Sequence, residues 1–240
     1  MDRLSRRRVL ALGGSAAVAT LGGGGVLVAQ RRPIRRPDND PVRDHIFGQA
    51  VKLAKDLQAS PRRPETFAAL AANARLHAAH AKATGLDAAL AAALGREVDR
   101  RGRDAIIDAA AGPEMEAKHH QLLDSLGLGE LHVAMQDRLP RSAYAQGLNT
   151  LLVGGGITRD LENFAAQLER MHANLAKLAT PQGARVQLGC ESFRATCEIL
   201  KEAAAVICAI SAVQPEFAPL CPILAAEAAT ACFIAWLGGC

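Results

Sequence analysis

After residue 40, apolar positions recur every three or four residues, which is the period of a helix packed on one side and not the alternation of a half-buried strand. Residues 40–58 carry Ile46, Ala50, Leu53, Ala54 and Leu57 in this register, and Pro61 stops the run. A second helix is predicted from Pro64, where proline suits the first turn, to Lys82 ahead of Gly85. A third spans 86–110 with a weak point at Gly102, and shorter ones cover 113–125 and 128–138, the latter ended by Pro140. Residues 142–153 read as a helix, with a short strand over 151–153 entering Gly154, Gly155 and Gly156 as the alternative. A helix over 158–178 follows. The fold class is all-α: a helical bundle over 40–180, with a cysteine-rich antiparallel helical hairpin over 188–240 packed on or beside it. Aromatic residues make up only 3% of the 240-residue chain, which favours close helix packing.

The first forty residues break the pattern. Arg3, Arg6, Arg7 and Arg8 precede 21 uncharged residues, 9–29, and then comes a basic Pro-rich linker, 30–39, with Arg31, Arg32, Arg35 and Arg36. Residues Ser5, Arg6, Arg7, Arg8, Val9 and Leu10 resemble a twin-arginine export signal, with Arg6 and Arg7 as its specific pair. Val9 stands where phenylalanine is usual and Ala11 where lysine often stands. The glycines at 13, 14 and 22–25 keep the run only mildly hydrophobic, as such signals are. This resemblance implies export to the periplasm or the outer face of a bacterial cytoplasmic membrane, with cleavage near Ala29. The alternative is an uncleaved anchor, because 21 residues at about 1.5 Å each just cross a hydrocarbon core of roughly 30 Å.

This assignment changes the meaning of the charge. The formal net charge is +4, but four arginines against Asp2 give +3 to residues 1–29, and the linker adds another four positive charges. Residues 37–240 are therefore near −3, and a nucleic-acid partner is not expected. The remaining route to a charged surface is peripheral or anchored membrane association through residues 9–36. Otherwise the partner is unknown.

All six cysteines fall in the last 51 residues, at 190, 197, 208, 221, 232 and 240. Their separations, 7, 11, 13, 11 and 8, are nearly palindromic. In an antiparallel hairpin bent near Gln214 and Pro215, partners share a constant sum of positions. Cys208 and Cys221 sum to 429, Cys197 and Cys232 to 429, and Cys190 and Cys240 to 430. Steps of 7 and 11 each return within about 20° on a helix, so Cys190, Cys197 and Cys208 share one face and Cys221 and Cys232 another. Neighbours on one helix stand about 10 to 16 Å apart, too far for a bond that tolerates roughly 4.4 to 6.8 Å between Cα atoms. Three nested disulfides follow: Cys208–Cys221, Cys197–Cys232 and Cys190–Cys240. The last relies on Gly238 and Gly239 to turn Cys240 back. The layout resembles the twin-cysteine helical hairpins of the mitochondrial intermembrane space, with spacings one residue wider, and the resemblance is geometric. Twin-arginine substrates leave a reducing cytoplasm already folded, so the bonds close after export or metal fills the thiols before it. Residues 203–213 and 217–237 are apolar enough to raise membrane insertion, but Glu227 in the second is costly in hydrocarbon.

No enzyme class is supported. Two Glu-x-x-His units, Glu116 with His119 and Glu169 with His172, resemble the ligand pairs of ferritin-like di-iron proteins, which would need further glutamates such as Glu97 and Glu130 or Glu162. Exported copper-storage bundles offer a looser resemblance through their Cu(I)-binding thiols. His77 and His80 lie three apart on an alanine-rich helix, while His45, His120 and His132 stand alone. The glycines at 154–156 ahead of a helix raise an anion site, although the spaced glycines of a dinucleotide loop are missing. The expectation is an exported helical protein of structural or binding role without a cofactor. The runner-up is a helical metalloprotein holding iron or copper.

Overall fold

The computed structural model describes residues 40–135, 138–154, 156–178 and 190–237, and describes only the backbone of 132, 133, 178, 190 and 191. The signal, its Arg6 and Arg7, the linker and the Cys190–Cys240 pair lie outside the described residues. Among those described there are ten α-helices and no strand, so the all-α reading holds.

Helix α1 is Pro41–Ala59, where Asp40 Oδ1 accepts from the backbone N–H groups of Val42 and Arg43 at 3.1 Å each. That satisfies two donors which a helix start otherwise leaves open. Its buried stripe is the one predicted: Ile46, Ala50, Leu53, Ala54 and Leu57. Helix α2 is Pro64–Thr84 and packs along its length on α8, Gly156–Leu178. The predicted third helix is two, α3 Leu86–Arg101 and α4 Arg103–Ala111. Gly102 separates them at φ 85°, a backbone setting that a side chain would strain.

Helix α5 is Pro113–Ser125 and α6 is the single turn Gly129–Val133, shorter than the predicted 128–138. The carbonyl of Met135, which a longer helix would pair internally, accepts from the Lys201 ammonium instead. Helix α7 is Arg141–Leu152, and the strand alternative for 151–153 is corrected. Tyr144, Gly147, Leu148 and Leu151 form one buried helical stripe that continues through residue 151.

Helix α9, Cys190–Ser211, and α10, Leu220–Leu237, form the antiparallel hairpin, joined through a 3₁₀ turn at Pro215–Phe217. The hairpin lies within the same hydrophobic core as the earlier helices, with α4 and α7 on α9 and α1, α5 and α6 on α10. Every residue from Ile223 to Ala235 is buried, as is every residue from Glu202 to Ile210. A helix apolar on all sides has to be surrounded. By length and composition α10 would cross a membrane, yet 78% of it is buried inside the fold.

Alanines set the close approach. Ala203, Ala204, Ala205 and Ala209 on α9 and Ala225, Ala226, Ala228 and Ala229 on α10 are all buried. Where the helices touch most closely, Cα atoms stand 4.6 Å apart at Cys197–Cys232 and 4.9 Å apart at Cys208–Cys221, and both pairs are bonded. The two described pairings are the inner two of the nested set. Replacing Cys208 and Cys221 together with alanine should lower the unfolding free energy by about 3 kcal/mol, the closure entropy of a short loop, measured by urea titration of the oxidised protein. An unchanged midpoint would mean that packing alone holds the turn.

Candidate functional site

The residues with chemical potential are distributed over seven of the described helices, and most have partners within the fold. On α5, Glu116 forms an ion pair with Arg138 at 2.7 Å. His119 is buried, its Nε2 3.3 Å from Cys208 Sγ. On α8, Glu169 takes a two-pronged ion pair from Arg75 on α2, at 2.5 and 2.7 Å, and that bonding holds its carboxyl below the usual range. His172 Nδ1 donates to the Pro64 carbonyl at 2.9 Å. Glu97 is buried, paired with Arg100 at 2.6 Å and accepting from Gln214 Nε2 at 2.9 Å. Glu130 and Glu162 are exposed. The two Glu-x-x-His units thus point to separate partners, and no group of three or more His, Cys, Asp and Glu side chains among the described residues is placed to hold a metal ion.

His77 and His80 also diverge. His80 Nε2 lies 2.8 Å from the Asp40 carboxylate that caps α1. His77 is 1% exposed and its Nδ1 lies 2.9 Å from Oε1 of Glu227, itself 5% exposed, so the pair ties α2 to the middle of α10. Burial pushes the His77 pKa down, while the charge of Glu227 and its hydrogen bond pull it up, and the net shift is upward. Glu227 Oε2 is buried with no partner. Sequence reasoning gave Glu227 no partner, although a lone carboxylate in an apolar helix is itself the signal that one must exist.

A second buried acid escaped the sequence reading. Glu202 on α9 packs against α7 at Gly147, where an added Cβ would lie 2.8 Å from the Glu202 Cβ, so only glycine permits this crossing. Burial, with Glu198 and Asp160 nearby, raises the Glu202 carboxyl to about 7. Burial also raises Asp160 on α8, against the opposing pull of Arg159.

The glycine loop ahead of α8 is already supplied with an anion. Asp87, in the first turn of α3, accepts from the backbone N–H groups of Ile157 at 3.0 Å and Thr158 at 3.4 Å, and from the Thr158 hydroxyl. The positive end of the α8 dipole meets this carboxylate from within the chain. A groove of about 410 Å³ runs beside the Cys197–Cys232 bond, walled in part by Arg194, Lys201 and Trp236. Trp236 is 57% exposed and stacks on Phe233 with ring centroids 5.7 Å apart.

No protein-family model, curated protein or solved structure matches the chain.

Asp87→Ala should cost about 1–2 kcal/mol of stability by removing an acceptor from the start of α8, with Asp87→Asn losing less; urea unfolding would compare them. An effect below a few tenths would show that water replaces the carboxylate.

The fold should also be more stable at pH 5 than at pH 8. The raised Glu202 carboxyl makes the folded state bind more protons than the unfolded one between about 4.5 and 7, so stability falls as pH rises across that window. The His77 contribution is fully present below about 6.5 and is lost as pH rises through its raised folded value. Glu202→Gln should remove about 1–3 kcal/mol of the difference between pH 5 and pH 8, read from unfolding curves at both. A slope unchanged by the substitution would place the proton elsewhere.

Proposed function

We propose that the chain is an exported helical protein of structural or binding role, carried by the twin-arginine signal of residues 1–29 to the periplasm or the outer face of a bacterial cytoplasmic membrane. The observation that carries this reading is the position of the two described disulfides. Both join α9 to α10, each between a buried cysteine, Cys232 or Cys208, and a partly buried one packed against the core, Cys197 or Cys221. Such bonds persist in oxidising compartments, and a reducing cytoplasm would keep the four thiols open. A structural or binding role also accords with side chains that chiefly hold helices together: His77 with Glu227, Arg75 with Glu169, and Asp87 on α8.

Replacing Arg6 and Arg7 with lysine tests the route. The variant should accumulate in the cytoplasm with free thiols, while the unaltered chain fractionates outside it with Cys197, Cys208, Cys221 and Cys232 resistant to alkylation until reduced. Undiminished export of the variant, or an unaltered chain found in the cytoplasm with those thiols open, would overturn the proposal.

A further inference from the structure

The two described disulfides stand in different surroundings. Cys208 is buried, and the buried His119 places its Nε2 3.3 Å from the Cys208 sulfur. The Cys197–Cys232 bond instead borders the groove of about 410 Å³, and both of its cysteines line that groove. Small-molecule pockets run from roughly 300 to 1,000 Å³, so the space is large enough to seat a ligand. A disulfide sulfur is an electrophile toward thiolates, and a groove that reaches one is a place where a thiol can react.

The local structure explains the opening. Positions 194, 197, 198 and 201 recur at helical spacing, so one face of α9 forms a wall. Cys232, Ala235 and Trp236 near the end of α10 form another. The two sulfurs are not equivalent. Cys197 is partly buried, whereas Cys232 is 1% exposed. An incoming thiolate therefore meets Cys197, and Cys232 is the sulfur that leaves, into the core.

The walls select the thiol. Trp236, 57% exposed, offers an apolar ring. Arg138 and Arg194 offer charge, for both line the groove and their side chains are 69% and 63% exposed. Each is held through Nε, to Glu116 at 2.7 Å and to Glu198 at 3.3 Å, and their terminal nitrogens make no bond among the described residues. Exposed ion pairs of this kind contribute little, and a guanidinium has donors for a second carboxylate.

We infer that the groove seats a small thiol bearing carboxylates and that the Cys197–Cys232 bond exchanges with it. The thiolate sulfur bonds to Cys197 Sγ as the Cys197–Cys232 bond breaks, and Cys232 leaves with the electron pair and takes a proton from water. A second thiolate bonds to the sulfur of the first. Cys197 then leaves with the electron pair and is protonated, and the small disulfide departs. Two electrons pass from two small thiols to the protein. Cys208–Cys221 joins α9 to α10 throughout, so the exchange requires no unfolding. This activity goes beyond a structural role and does not depend on the export route, because it is read on the purified chain.

The oxidised full chain would be mixed with reduced glutathione at neutral pH without oxygen, then quenched by alkylation for peptide mapping. Cys197–Cys232 should open at least about tenfold faster than Cys208–Cys221, with glutathione trapped on Cys197. Trp236 is the one tryptophan of the chain and lies one turn from Cys232. Its fluorescence should rise as the quenching disulfide opens, while the helical circular dichroism holds constant. The rate should saturate with glutathione and, at equal thiolate, exceed that of uncharged 2-mercaptoethanol. Arg138→Gln/Arg194→Gln should erase this advantage and leave the 2-mercaptoethanol rate unchanged. Simultaneous opening of the two bonds, glutathione trapped first on Cys208 or Cys221, loss of helix in step with exchange, or equal rates for the two thiols would each overturn the inference.

Discussion

A helix that is apolar on every side cannot rest on a surface, and α10 is such a helix. From Ile223 to Ala235 it turns no face to water, so the other elements have to enclose it. Helix α9 takes one side at alanine distance, and α1, α5 and α6 cover others. The arrangement of the bundle follows from this requirement: the hairpin that ends the chain is the post about which the earlier helices assemble. Burial on this scale accounts for most of the driving force, at about 25 cal/mol per Å² of apolar surface, and the two described disulfides then raise the free energy of the unfolded chain.

The same enclosure explains the cost of the polar exceptions. Glu227 is placed where no water reaches, and His77 is the group that answers it. Breaking such a pair leaves one uncompensated charge in the core, which is worse than having neither. Glu202 solves the problem differently, by keeping its proton to about neutrality. Asp87 is a third case, a carboxylate partly withdrawn from water and compensated by a helix start.

Much of this was legible along the chain because it rests on local period and on arithmetic. The α1 stripe, the breaks at Pro61, Gly85 and Gly102, and the constant sum of cysteine positions all depend on the geometry of one helix or one bend. The misreadings have tertiary causes. Residues 151–153 look strand-like alone, but Leu151 completes a buried stripe begun by Tyr144. Helix α6 closes as a single turn, and the Met135 carbonyl just past it accepts from a lysine 66 residues downstream. The partners of Glu227, Glu169 and Asp87 lie 150, 94 and about 70 residues away, and no spacing rule reaches that far.

The placement of the Cys197–Cys232 bond has a mechanical side. Tension applied along the backbone enters this segment at one cysteine and leaves at the other, across a Cα separation of 4.6 Å, so the loop of sequence separation 35 bears no load. About 120 Å of contour is thereby withheld from any stretching device, at roughly 3.4 Å per residue. A molecule drawn out by its ends would yield its outer helices one after another while the post at its centre stayed folded back on itself.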